Sequence, residues 1–170
     1  IGLKDLYEIL VETVKASAII MFICASAGLY SWIGSTVGLI EKSSAMLLSI
    51  SSNEYVLLFM IYFILFIGGM LLDGVSMLYV FMPILMPLMA EYGWDPVWFG
   101  VMITIMVAIG TITPPVAMNL YVGCRITGMS IEEITPPVIP LMISALIGLA
   151  FLTFLPGITL FLPRMLGLIS

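Results

Sequence analysis

Residues 110–119 read GTITPPVAMN and lie inside an uncharged run from Pro96 to Cys124, long enough to cross a bilayer as one helix. Two adjacent prolines in the middle of that run decide how the chain folds there. Proline has no amide hydrogen, so a continuous helix would leave the carbonyls of Gly110 and Thr111 without their partners at positions 114 and 115. Hydrocarbon supplies no water to replace those bonds, and irregular backbone survives at that depth only where protein or a polar cavity takes the freed groups. A residue before proline is also pushed out of the helical region, so Thr113 and Pro114 are expected to be extended. The run therefore reads as two half-helices, one from Pro96 to about Gly110 and a second beginning at Pro115 or Val116.

Such a break has chemistry on both edges. The first half ends in unpaired carbonyls beside the hydroxyls of Thr111 and Thr113, oxygen ligands of the kind that hard cations take. The second half opens with free amides and the positive end of a helix dipole, which suits an anion. Asn119 follows one turn later. Discontinuous helices of secondary transporters hold a coupling ion and substrate in this way near the bilayer midplane. The competing reading is a proline kink whose lost bonds are repaired by neighbouring helices or water.

The whole composition agrees with a membrane setting: 62% of residues are hydrophobic and 9% charged, with a mean hydropathy of +1.26. An integral membrane protein is specified. The net charge of −5 comes from a few residues near the ends of apolar runs, and no basic tract points to nucleic acid. Apolar runs recur to the end of the chain, unlike a secretory signal, and the chain begins at Ile1 as if continuing a longer protein. There is no histidine, GxSxG or HExxH, and the adjacent Glu132 and Glu133 point to different sides of a helix, so no enzyme is indicated. Cys24 and Cys124 are isolated and read as small packing residues rather than a zinc site or disulfide. The 14 methionines read as packing or lipid-facing residues, with no ligand role.

Charges divide the remainder into segments. In residues 1–16, Leu3, Leu6, Tyr7, Leu10 and Val14 recur at helical spacing while Lys4, Glu8, Glu12 and Lys15 line another face, the pattern of an amphipathic interfacial helix. Residues 17–52 hold an uncharged run to Ile40, then Glu41, Lys42 and a weaker apolar stretch from Ala45 to Ile50. Ser26, Gly28, Ser31, Gly34, Ser35 and Gly38 interrupt that run. They fit either one closely packed spanning helix or a re-entrant hairpin with its tip near Ser26 to Gly34. In residues 53–91, Asn53 caps a helix from Glu54 to Leu72, about the 20 residues that a hydrocarbon core requires. Gly68 and Gly69 admit a close neighbour, Asp73-Gly74 signals a turn, and Val75 to Ala90 is kinked or broken by Pro83 and Pro87.

Residues 92–129 make the discontinuous helix, which Asp95 caps with Pro96 at its first position. In residues 130–170, Ser130 and Glu133 form a capping box for a short polar turn, and Thr135-Pro136 starts the last apolar run, Pro137 to Leu155. The tail from Pro156 ends at the interface with Arg164. Asp73 reads first as an interfacial turn and second as an ion ligand, and Arg125 first as a headgroup anchor and second as a partner for a carboxylate substrate.

Several of these stretches, in order and spacing, resemble one family. LKDL (3–6), GMLLDGVSM (69–77), FMPILMPL (81–88), YGWDPVWFGVM (92–102), AIGTITPPVAMNLYV (108–122) and FLPGITLFLPRMLG (154–167) resemble the large membrane subunit of tripartite ATP-independent periplasmic transporters, the DctM-like permeases. The likeness runs over essentially the whole chain, which would be the C-terminal portion of a longer subunit. It implies an all-α integral membrane protein of elevator type, this chain being one of two inverted repeats with a re-entrant hairpin and a broken transmembrane helix. It implies a Na+ gradient as driving force and no other cofactor. The implied partners are a small four-helix membrane subunit, a periplasmic substrate-binding protein, the N-terminal part of the large subunit, the bilayer of a bacterial inner membrane, and an organic acid such as a C4-dicarboxylate or sialic acid. The hairpin tip at Ser26, Ala27 and Gly28 would face the break, with Na+ held by Gly110, Thr111 and Thr113, and with Pro114, Pro115 and Asn119 completing the site. Two alternatives remain at this level: another ion-coupled carboxylate carrier that needs no binding protein, and a purely structural membrane subunit.

Overall fold

The computed structural model describes residues 2–51 and 53–169, so the first residue of the arm, Ile1, the last of the hairpin segment, Ser52, and the last of the tail, Ser170, lie outside the described residues. Among the described residues eight helices follow one another: α1 (Leu3–Thr36), α2 (Leu39–Ile50), α3 (Glu54–Leu71), α4 (Gly74–Tyr92), α5 (Pro96–Thr111), α6 (Met118–Thr127), α7 (Ile131–Phe154) and α8 (Pro156–Met165). Four of them, α1, α3, α4 and α7, contain stretches long and apolar enough to cross a membrane.

Local sequence accounts for most of the boundaries. Asn53 accepts from the amides of Tyr55 and Val56, Asp73 from Val75 and Ser76, and Asp95 from Val97 and Trp98, so α3, α4 and α5 each start on a side-chain cap. The Ser130–Glu133 capping box is formed in both directions. It starts α7 itself rather than a separate polar turn, because Pro136, Pro137 and Pro140 lie inside one helix of 24 residues. In the same way α4 runs unbroken through Pro83 and Pro87. There the buried hydroxyl of Ser44, on α2, donates to the Ile84 carbonyl at 2.9 Å and ties α2 to α4.

The N-terminal third differs from expectation. The interfacial arm and the run after it form a single helix of 34 residues. Nothing between Lys15 and Ala27 is a strong breaker, and an isolated glycine such as Gly28 costs a helix only about 1 kcal/mol. Ser26, Ala27 and Gly28 therefore lie within α1 rather than at a tip. The chain reverses at Val37-Gly38, where Gly38 adopts φ 70°, a left-handed conformation that glycine reaches without a Cβ penalty. Among the described residues α1 packs mainly on α2 and α4 rather than on α5 or α6.

α5 is the centre of the bundle. Trp98, Phe99, Met102, Ile103, Met106, Val107 and Ile109 are all buried, against Leu57, Leu58, Ile61 and Leu65 of α3, Met77, Leu85 and Leu88 of α4, and Leu149 of α7. At the end where α3 and α5 begin, the Trp94 indole donates to Glu54 at 2.6 Å and the Trp98 indole to the Leu152 carbonyl at 3.1 Å. At the other end α3 and α5 touch backbone to backbone. A Cβ on Gly69 would sit 3.0 Å from the Gly110 Cα, and one on Gly110 would sit 2.8 Å from the Gly69 Cα. Lipid tails are as apolar as leucine, so helices in a bilayer associate through such close packing and through polar bonds rather than through the hydrophobic effect.

This contact generates a test in the complete permease. Gly69→Ala forces two backbones apart and should destabilise the protein by about 1–3 kcal/mol in thermal or denaturant unfolding. Gly148→Ala, where a Cβ meets nothing within 4 Å, should be neutral.

Candidate functional site

The break between α5 and α6 lies immediately beyond the glycine contact. α5 ends at Thr111, one residue later than the sequence suggests, with the Ile112 amide on the Ile109 carbonyl at 3.3 Å and the Thr113 amide on the Gly110 carbonyl at 2.9 Å. The Gly110 carbonyl is thus partnered by a tightened last turn, which corrects the expectation that it is free. Beyond it, the carbonyls of Thr111, Ile112, Pro115 and Val116 accept no hydrogen bond among the described residues, and residues 114–116 form a turn. α6 begins at Met118 rather than at Pro115 or Val116, because Ala117 adopts φ 45° and ψ 58°, a left-handed geometry that a right-handed helix cannot include.

The opposite edge is a bare helix N-terminus. Ala117 has no polar side chain to cap it, and the amides of Met118 and Asn119 donate no hydrogen bond among the described residues. Unsatisfied amides and the dipole end together favour negative charge. Oxygen-rich backbone and an electropositive helix end therefore lie six residues apart in one chain segment, between Thr111 and Ala117.

The threonine side chains are buried and engaged. Thr111, 4% exposed, donates to the Ala108 carbonyl at 2.8 Å and accepts from the Asn119 amide at 2.9 Å, a bond that ties α6 back to α5. Thr113, 7% exposed, donates to the Ile109 carbonyl at 2.7 Å and reaches the Met142 sulfur of α7 at 3.1 Å. Asn119 itself is exposed. Gly110, Thr111, Thr113, Pro114, Pro115 and Asn119 are thus brought together, whereas Ser26, Ala27 and Gly28 remain on α1, which packs elsewhere. Met142 was missed by sequence reasoning. A methionine two residues past Pro140 carries no local signal of its contact.

Asp73 and Arg125 stand apart from these bonds. Asp73 is the cap of α4: Oδ1 accepts from the amides of Val75 and Ser76 at 3.0 Å, and Oδ2 from the Ser76 hydroxyl. Partial burial pushes its pKa up, but the Ser76 hydroxyl and the two amides outweigh that and hold it below the usual carboxylate value. Arg125 is exposed in the last turn of α6, where its charge opposes the negative end of the dipole.

Helices of spanning length packed about a buried central helix are those of a multi-pass membrane protein. The family model of the tripartite ATP-independent periplasmic transporter DctM component matches residues 1–158, and the chain belongs to that family. It is 34% identical over 163 residues to the sialic acid TRAP transporter large permease protein SiaM of Vibrio cholerae, covering 96% of this chain and 38% of that protein. It is 31% identical over 166 residues to the C4-dicarboxylate TRAP transporter large permease protein DctM of Rhodobacter capsulatus, covering 98% and 38%. It is 29% identical over 155 residues to the isethionate TRAP transporter permease protein DctMQ of Oleidesulfovibrio alaskensis, covering 91% and 24%. The chain therefore spans well under half the length of these relatives, all of which are named as permeases rather than enzymes.

The capping geometry of Asp73 makes a definite forecast for the complete permease. Asp73→Ala should lower stability by about 1 kcal/mol and Asp73→Asn, which still caps, by much less. Arg125→Lys should keep near-normal uptake at normal expression, since an anchor needs only a charge at the end of a long stem, whereas a bidentate carboxylate contact would not survive the change.

Proposed function

We propose that this chain is the C-terminal portion of the large permease of a Na+-coupled transporter that imports a small organic acid across a bacterial inner membrane. The observation that carries the reading is the α5–α6 break, with unpartnered carbonyls on one edge and an uncapped helix N-terminus on the other. Na+ is held by the Thr111 carbonyl and the Thr113 hydroxyl, with the second lone pairs of Gly110 and the Thr111 hydroxyl beside them. The amides of Met118 and Asn119 face the substrate anion. The relatives are named for sialic acid, C4-dicarboxylates and isethionate, all small organic anions.

The partners of this reading are a periplasmic substrate-binding protein, a small four-helix membrane subunit and the remainder of the large subunit, which supplies the other half of the site. Transport proceeds as an elevator, and α1 and α2 form its re-entrant hairpin with the tip at Val37-Gly38. In support, α2 has 12 residues and so reaches about 18 Å, short of a hydrocarbon core of about 30 Å. In a complete transporter freed of Cys24 and Cys124, cysteines at Lys15 and Ser51 should react with an impermeant thiol reagent from the same side. Reaction from opposite sides excludes the hairpin.

The site is tested by replacing both prolines of the break. Pro114→Ala with Pro115→Ala restores two amide donors and removes two ring clashes, together worth about 3 kcal/mol or more per proline to a continuous helix. The complete transporter carrying both should insert and purify normally and melt no lower without Na+. Its carbonyls would then be bonded within the helix, so Na+-dependent uptake and Na+-induced thermal stabilisation should both disappear. Retention of both places the site elsewhere.

A further inference from the structure

We infer that Met142, on α7, is a positioning residue for the cation held at the break and acts through the hydroxyl of Thr113. The inference rests on the ion-binding reading above and deepens it. A hydroxyl that coordinates a cation offers a lone pair and must turn its single hydrogen away. For Thr113 that hydrogen has two protein acceptors, the Ile109 carbonyl at 2.7 Å and the Met142 thioether at 3.1 Å. The carbonyl is already shared with the Ile112 amide at 3.3 Å, whereas the thioether comes from another helix. Thr113 is 7% exposed, which keeps solvent from competing for the hydrogen.

The two threonines of the break differ in what they have left. The Thr111 oxygen accepts the Asn119 amide, which uses one lone pair, while the Thr113 oxygen accepts no hydrogen bond among the described residues. Thr113 is the hydroxyl with both lone pairs available, and Met142 and Ile109 fix which way they face. Partners that orient a ligating group commonly set metal affinity without touching the metal. Met142 packs against the bundle core, so its position reports where α7 sits against the end of α5. Cation affinity is thereby tied to the seating of α7.

The test uses the complete transporter and Na+ alone as the probe, reading the Na+ concentration for half-maximal rise in melting temperature at constant ionic strength. Leucine replaces methionine at nearly constant volume but has no acceptor. Met142→Leu should raise that concentration roughly tenfold, at the low end of what outer partners of metal ligands contribute, with the maximal uptake rate little changed. Thr113→Val should raise it further, and Met142→Leu should add nothing in the Thr113→Val background. Met142→Gln, which restores an acceptor at similar reach, should recover most of the affinity and serves as the comparison if the leucine variant does not fold. An unchanged Na+ response in Met142→Leu, or effects of the two substitutions that simply add, overturns the role of Met142 while leaving the site intact. An unchanged response in Thr113→Val overturns the site itself.

Discussion

The meeting of Gly69 with Gly110 governs the rest of the bundle. A backbone contact in which an added Cβ would come within 2.8 Å of a neighbouring Cα cannot be relaxed by a rotamer change, so it sets the separation of α3 and α5 at that level. Once those axes are fixed, the buried faces of α3 and α5 close on each other, α4 follows through Met77, and α7 closes the cluster through Leu149. A second glycine keeps the same corner tight, since a Cβ on Gly68 would meet the Met77 sulfur at 2.7 Å. The contact also delivers the end of α5 to a defined place. Irregular backbone follows one residue after Gly110 and Thr111, so the polar groups of the break are presented from a rigid platform rather than from a loose loop.

The polar groups at the break are arranged asymmetrically. α3, α4, α5 and α7 each begin on a side-chain cap, from Asn53, Asp73, Asp95 and Ser130. α6 begins on an alanine in a left-handed conformation that leaves its first amides bare. A residue held in that region costs of order 1–3 kcal/mol, and such strain persists only where surrounding structure enforces it. Here the enforcing groups are the Asn119–Thr111 bond and the Thr113 turn on the carbonyls of Ile109 and Gly110.

What the sequence discloses is what short-range chemistry decides. Asn53, Asp95 and Ser130 are legible as caps because a cap is satisfied within three residues, whereas Asp73 reads as a turn and only the structure shows it capping α4. The break is legible because Pro114 and Pro115 remove two donors in mid-run, but the adjacent Pro136 and Pro137 remove donors too and leave α7 continuous, so the proline pair alone does not decide it. The reversal at Val37-Gly38 was not legible, since six small residues between Ser26 and Gly38 look alike and only tertiary packing selects which one turns. The Gly69–Gly110 and Thr113–Met142 contacts were also hidden, because each joins residues far apart in the chain. Gly69 was recognisable as a place of close approach, but not its partner. The continuity of α7 through Pro136, Pro137 and Pro140 was likewise missed.

The length of α1 has a mechanical consequence. A helix of 34 residues extends about 51 Å, roughly 20 Å more than the hydrocarbon thickness, and it has no joint between its charged first turns and its apolar remainder. Its two parts cannot be oriented separately. If the segment from Ala18 to Thr36 is immersed, Lys4, Asp5, Glu8, Glu12 and Lys15 are carried on the same axis and their direction is set by its tilt. Any rotation of the immersed part is then magnified at the outer end, as a stiff rod pivoted off-centre moves its longer side farther.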